Sequence, residues 1–176
     1  ARSGVAVPQT YPLPNEAAAN RAWDLLMTPS GKMWVRDHEG AAGRGAFLAT
    51  AGKWHHLTAW LEMRGGYGSY IASEYLPGRC VTWMSLWQDG KLLAGQGRER
   101  LAWHLADRSV AGITGVTGVG RTIDRKDVAE MGRRAVLAGA ATPNGLFGVD
   151  RKEDDRGVPN VTEINIGRFF TTIEFF

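Results

Sequence analysis

At 176 residues the chain is long enough to bury a real core as one domain or two small subdomains. Its single cysteine, Cys80, excludes an internal disulfide and a cysteine-based zinc cluster, and it suits a reducing, cytoplasmic setting. The net charge of +3 is modest and the basic residues are scattered, which argues against a nucleic-acid partner, and no apolar run approaches a membrane span.

No signal peptide is visible at the start, and the opening Ala1-Arg2-Ser3-Gly4, without Met, reads as part of something longer. Ala1 to Pro14 reads as a loop, with Val5-Ala6-Val7-Pro8 extended and Pro12 and Pro14 excluding a helix. Asn15 is a candidate N-cap for a helix from Glu16 to about Met27, stopped by Thr28-Pro29-Ser30-Gly31. Lys32 to Arg36 and Ala46 to Ala49 predict the two strands of a hairpin whose long tip runs from Asp37 to Gly45. Between Lys53 and Arg64, Trp54, Leu57, Trp60 and Leu61 recur at helical spacing. Tyr70 to Leu76 predicts a strand ended by Pro77-Gly78.

Cys80 to Trp87 and Lys91 to about Trp103 predict a second hairpin, closed by Asp89-Gly90, a strong type I′ signal. His104 to Gly120 is rich in glycine and reads as an irregular excursion. Asp124 is the expected cap of a helix from about Arg125 to Ala140, with Val128, Met131, Ala135 and Val136 facing inward. The acidic run Glu153-Asp154-Asp155 lacks the ligand alternation of a calcium loop and reads as a solvated turn. Strands and helices do not alternate regularly, so the expected class is α+β with antiparallel sheets rather than a doubly wound parallel sheet.

The last hairpin carries the chemistry. Its strands are Asn144 to Asp150 and Asn160 to Arg168. Alternation puts Phe147, Val149, Ile164 and Ile166 on a core-facing side and Asp150, Glu163 and Asn165 on the other. Glu163 and Asn165 stand within ~7 Å of each other along the strand. Antiparallel pairing would bring Asp150 within ~5 Å of one of them. Two carboxylates and an amide oxygen, few in number and hard in character, suit Mg²⁺, or Mn²⁺ in its place, bound together with a nucleotide. A polar solvent face on an ordinary hairpin is the plain alternative.

Four segments in this order resemble the ATP-grasp superfamily, and most closely its carbamoyl-phosphate-synthase-like members, from Val5 to Arg168. The first is Val35-Arg36-Asp37-His38-Glu39-Gly40-Ala41-Ala42-Gly43-Arg44-Gly45, similar to the family's glycine-rich flap over the triphosphate. There the resemblance implies backbone approach at Gly40, Gly43 and Gly45, with Arg36 and Arg44 offsetting phosphate charge. The second, Glu74-Tyr75-Leu76-Pro77-Gly78 with Thr82 beyond, looks like the hinge whose main chain holds the adenine edge. The third is Arg98-Glu99-Arg100, where relatives carry a basic residue that meets phosphate or the bound acid. Two arginines on one strand face otherwise read as solvent-facing. The fourth is the final hairpin. Its Asp150, then Glu163 and Asn165, match the family's metal-ligand spacing by type, and Arg168 resembles its trailing phosphate-binding arginine.

What the resemblance implies is a single ATP-grasp module over 1–176, two α+β subdomains gripping ATP in the cleft between them. The smaller lobe would span about 1–72 and the larger 73–176. The implied activity is that of an ATP- and Mg²⁺-dependent ligase activating a small carboxylic or amino acid as an acyl phosphate, with Arg100 and Arg168 in catalytic roles. The alternative is a nucleotide-binding module that does not turn over alone, or a fragment of a larger carbamoyl-phosphate-synthase-like protein. Two departures motivate that alternative. Cys80 stands where many relatives carry a ribose-binding Glu, and the N-terminal α/β domain usual in the family is not seen in these residues. No membrane partner is expected, and self-association as a homodimer is left open.

Overall fold

The structure, a computed structural model, describes residues 4–27, 31–39, 45–63, 66–104 and 116–167. The chain divides into two compact units, Gln9–Tyr75 with Trp103–Val116, and Ala1–Pro8 with Leu76–Ala102 and Thr117–Phe176.

In the first unit the Asn15 side chain accepts the Ala18 amide, capping α1 (Glu16–Leu26) as its residue type predicts. A short strand, β1 (Thr10–Pro12), lies where the sequence suggested only loop. It pairs with β4 (Tyr70–Glu74), and that pairing, invisible to local sequence, makes it a strand. The expected hairpin is β2 (Lys32–Asp37) with β3 (Ala46–Thr50), Val35 standing opposite Phe47. The sheet order is β1-β4-β2-β3. Met33 and Val35 are fully buried while Trp34 and Arg36 are half-buried, the period of two that a one-sided sheet imposes. α2 (Trp54–Met63) follows a single 3₁₀ turn and buries Leu57 and Leu61 in the same core. Trp23 stacks on Trp54 at 4.4 Å, and Phe47 meets the edge of Trp60 at 4.7 Å.

The second unit is built on a five-stranded sheet of order β7-β6-β5-β8-β9. Its strands are β5 (Cys80–Gln88), β6 (Lys91–His104), β7 (Val116–Ile123), β8 (Gly145–Glu153) and β9 (Pro159–Ile166). Asp89 and Gly90 both take positive φ, 48° and 79°, as the type I′ turn between β5 and β6 requires. The excursion expected from His104 to Gly120 is corrected for its described part, because β7 already begins at Val116 and forms the sheet edge. α3 (Lys126–Gly139) starts one residue later than expected. Arg125, not Asp124, is its N-cap, and Arg125 bonds Asp127 in the first turn. The helix lays Val128, Ala135 and Val136 against Val81, Trp83, Phe147 and Val149 of the sheet. Ile164 joins that core, but Ile166, expected inside, is 70% exposed because it sits at the end of β9.

The supposed acidic turn is also corrected. Glu153 is the last residue of β8 and is buried, bonded by Arg79 at 2.9 Å and by Arg125. Two guanidinium groups replace the water that its charge would otherwise need. Asp155 alone of the three is fully solvated; Asp154 accepts the Val158 amide and the Arg156 guanidinium. Among the described residues no helix is long and apolar enough to cross a membrane.

Candidate functional site

Register partners on neighbouring strands share a sheet face. Arg98 on β6, Thr82 on β5, Asp150 on β8 and Glu163 on β9 are successive partners, so they form one polar row across four strands. Arg100, Cys80 and Lys152 make the next row, and Gly148 and Asn165 lie in the row on the other side. All stand opposite the face that α3 covers, which takes Val81, Trp83, Val149 and Arg151. The alternation Phe147-Gly148-Val149-Asp150 produces this division directly.

A bulge then preserves it. The register shifts between Asp150 and Arg151, so that Thr162 is an extra residue on β9, its hydroxyl donating to the Asp150 carbonyl at 3.1 Å. Without that insertion Val161 would share the side of Glu163 and Asn165. With it, Val161 packs into the core while the polar pair keeps its face.

Asp150 is the centre of the site. Its Oδ1 accepts the Arg100 guanidinium at 2.5 Å and the Thr82 hydroxyl at 2.8 Å. Its Oδ2 accepts the Asn165 amide at 3.3 Å, across a strand pair where Gly148 has no side chain to intervene. Arg98 is buried, 4% exposed, with its stem running over Gly120, where a Cβ would come within 3.1 Å of it. Burial, then the neighbouring Arg100 charge, pull the Arg98 guanidinium down to about 10, against the opposing pull of Asp150. Arg98 and Arg100 are therefore not the solvent-facing pair that their strand suggested. Lys152 donates to the Gly78 carbonyl at 3.0 Å, and its Nζ lies 3.4 Å from Cys80 Sγ.

The donor set fits a hard divalent ion. Adjacent ligand oxygens on an octahedral Mg²⁺ stand ~3 Å apart, from metal–oxygen bonds of ~2.1 Å. Asp150 Oδ2 and the Asn165 amide are already 3.3 Å apart, and turning that amide over presents its oxygen. Glu163, the register partner of Asp150, is the other carboxylate on this face that could join them. Among the described residues no group of three or more His, Cys, Asp and Glu gathers that could hold a metal ion, here or elsewhere; this set brings two carboxylates and one amide.

Apart from Leu76, the other sequence-predicted residues lie in the first unit or outside the described residues. Arg36 stands opposite Ala46 and Ile71 on β2. Gly45, at φ 74°, closes the hairpin by accepting the Asp37 amide at 3.2 Å. Gly40, Gly43, Arg44 and Arg168 fall outside the described residues. The predicted hinge strand stops at Glu74, whose amide donates to the Gln9 carbonyl at 2.9 Å. The Tyr75 ring lies 5.2 Å below Lys32 Nζ, and at the buried Leu76 the chain enters the second unit. Thr82 and Arg98 enter the sequence reading only within wider segments, with no role of their own. Their signal is the pairing of β5 with β8 and β6, which no local spacing reveals.

No family model matches the chain, and no curated protein sequence matches it significantly. Solved structures do. The D-cycloserine synthetase DcsG superposes with TM-score 0.72 at 17% identity, over 96% of this chain and 59% of that one. The ATP-grasp ligase PsnB, complexed with precursor peptide PsnA2 and AMPPNP, gives TM-score 0.65 at 17% identity over 98% and 48%. The chain has the ATP-grasp fold. A carboxyaminoimidazole ribonucleotide synthase from Aspergillus clavatus, complexed with ATP, adds TM-score 0.71 at 14% identity over 96% and 42%. The chain thus spans about half the length of these ATP-grasp-fold structures.

Proposed function

We propose that the chain is the nucleotide- and metal-binding core of an ATP-dependent ligase that activates a carboxylate as an acyl phosphate. The observation that carries this is the polar face of the five-stranded sheet, on which Thr82 from the same row and Arg100 and Asn165 from the rows on either side all converge on Asp150 beside Glu163. The ATP-grasp fold supports it, as do the nucleotide complexes described for PsnB and the ribonucleotide synthase.

Asp150, Glu163 and Asn165 would hold Mg²⁺, which when bound offsets the charge of the β- and γ-phosphates. The protein's own contribution is positioning and electrostatics. The row is built on a rigid sheet, so its donors and acceptors need no rearrangement as charge moves toward the transferring phosphoryl group. Arg36, Gly40, Gly43, Arg44 and Gly45 would cover the phosphates, Glu74, Tyr75 and Leu76 would take the adenine, and Arg168 would take phosphate charge. No protein nucleophile is needed. The acid's carboxylate oxygen would attack the γ-phosphorus as its bond to ADP breaks, and an amine would later displace inorganic phosphate from the acyl phosphate, losing a proton. A carbamoyl-phosphate-synthase-like acid and a cytoplasmic setting belong to this same reading.

The test is ADP release over a panel of carboxylic and amino acids with Mg²⁺-ATP, repeated with Glu163→Ala and Asn165→Ala. Acid-dependent release that both substitutions abolish supports the reading, and turnover retained in both contradicts it. A second reading is a nucleotide-binding module that does not turn over alone, favoured by Cys80 at the position where the resemblance implies a ribose-binding Glu. Nucleotide binding without ADP release would be its signature.

A further inference from the structure

The two oxygens of Asp150 have different surroundings. Oδ1 takes a charged donor, Arg100 at 2.5 Å, and a neutral one, Thr82 at 2.8 Å. A carboxylate oxygen offers two lone-pair directions, so both at Oδ1 are in use. Oδ2 points the other way along the row, to β9, where Asn165 reaches it at 3.3 Å and Glu163 is the register partner. Asp150 and Arg100 are both mostly buried, their side chains 17% and 18% exposed, so solvent screens the pair weakly.

Charge on this face balances in the same direction. Asp150 and Glu163 bring two negative charges, and Arg98 and Arg100 bring two positive ones, with Lys152 one step further along β8. A bare divalent cation arriving here meets carboxylates whose charge is already matched. A cation carrying a polyphosphate brings its own negative charge to the two guanidinium groups.

We propose that Arg100 is a positioning and specificity residue, the resident counterion of Asp150. With Thr82 it holds Oδ1, aims Oδ2 at β9, and keeps the ligand set closed to a divalent ion that arrives without nucleotide. The inference rests on the metal assignment made above. It differs from the direct phosphate contact that the resemblance implied for Arg100, because the observed partner is the metal-ligand carboxylate itself.

Mn²⁺ is the probe, its free concentration read by electron paramagnetic resonance with and without AMP-PNP. The proteins are wild type, Arg100→Met, Arg100→Lys and the double variant Arg100→Met with Asp150→Asn, each checked for folding by circular dichroism. Wild type is expected to bind bare Mn²⁺ at least about tenfold more weakly than Mn²⁺ with nucleotide. Arg100→Met gains on the order of tenfold or more in affinity for bare Mn²⁺. Arg100→Lys, which keeps the charge, stays near wild type, and the double variant loses the gain. A loss of packing alone would not raise metal affinity. In a wild type that binds nucleotide, equal Mn²⁺ affinity with and without it, or no gain in Arg100→Met, overturns the proposal. Should Arg100→Met not fold, the wild-type ratio decides alone. Failure of wild type to bind nucleotide at all would instead strike the functional reading, since the bare-metal comparison of wild type with Arg100→Met needs no nucleotide.

Discussion

Replacing Gly132 by Ala tests how the site-bearing sheet is held. Gly132 sits on the buried side of α3, directly over Trp83 of β5. A Cβ there would lie 2.5 Å from Trp83 Cε3 and 2.7 Å from Cδ2. Carbon atoms in contact prefer ~3.5–4.0 Å, so the overlap is about 1 Å. The ring has little room toward β6, because its far edge lies over Gly95, where a Cβ would stand 2.7 Å from Cζ2. Two effects then oppose each other. Ala in place of Gly favours a helix by about 1 kcal/mol. Overpacking a core costs about 1–3 kcal/mol, and a ring approached closely from both Gly132 and Gly95 puts this site at the upper end.

The net expectation is a loss of about 1–2 kcal/mol from those two magnitudes. In a Trp83→Leu background the ring contacts are gone and only the residue-83 Cβ stays close, at 3.0 Å, so the same substitution should then be near neutral or stabilise by up to about 0.5 kcal/mol. Urea unfolding followed by far-ultraviolet circular dichroism measures both, without relying on the tryptophan signal that the second substitution removes. A Gly132→Ala protein as stable as wild type would refute the packing argument. Equal losses in both backgrounds would do the same.

Other substitutions test the buried charges behind the site. Burial raises the Glu153 carboxyl, but the Arg79 and Arg125 guanidinium groups outweigh it and hold the group below the ordinary carboxylate range. A depressed carboxyl stabilises above its unfolded value of about 4.3 and loses that stabilisation as pH falls through the folded value. Glu153→Gln should therefore destabilise by roughly 2 kcal/mol at neutral pH and flatten the acid limb of the stability curve. An unchanged acid limb on urea titration at several pH values would contradict this. Arg151 is 2% exposed and bonds the Val128 carbonyl, while its Nε and Nη2 have no hydrogen-bond partner. Burial pulls it down to about 10, a penalty on the order of 3 kcal/mol for the charged form at neutral pH. Arg151→Met should then raise the urea midpoint, by about 1–2 kcal/mol once lost contacts are discounted; a lowered midpoint would show the charge to be stabilising.

Local chemistry was legible wherever one or two residues determine a conformation. Asn15 can cap and does; Asp89-Gly90 can adopt two positive φ angles and does. The final hairpin was legible because Phe147 and Val149 alternate strictly with Gly148 and Asp150, so a single register fixes which residues face the helix. What failed depends on partners distant in sequence. β1 exists through pairing with β4, and β7 through its place beside β6. Glu153 reads as a surface acid until Arg79 and Arg125 reach it from 74 and 28 residues away. Arg98 and Arg100 read as a basic pair whose place, on phosphate or in solvent, the sequence left open, because the strand that carries Asp150 lies two strands over in the sheet and 50 residues on from Arg100. The bulge at Thr162 has no spelling in the sequence, yet it lets Val161 and Glu163 take opposite faces.

The most direct measurement of the central claim is calorimetric titration of AMP-PNP into the intact chain, with Mg²⁺ and again with a chelator, for wild type and Glu163→Gln. Mg²⁺-dependent binding in wild type, weakened on the order of tenfold or more by the chelator and by the substitution alike, is the result predicted. Nucleotide affinity indifferent to Mg²⁺ and to Glu163, or no binding under either condition, would contradict a metal held on this hairpin.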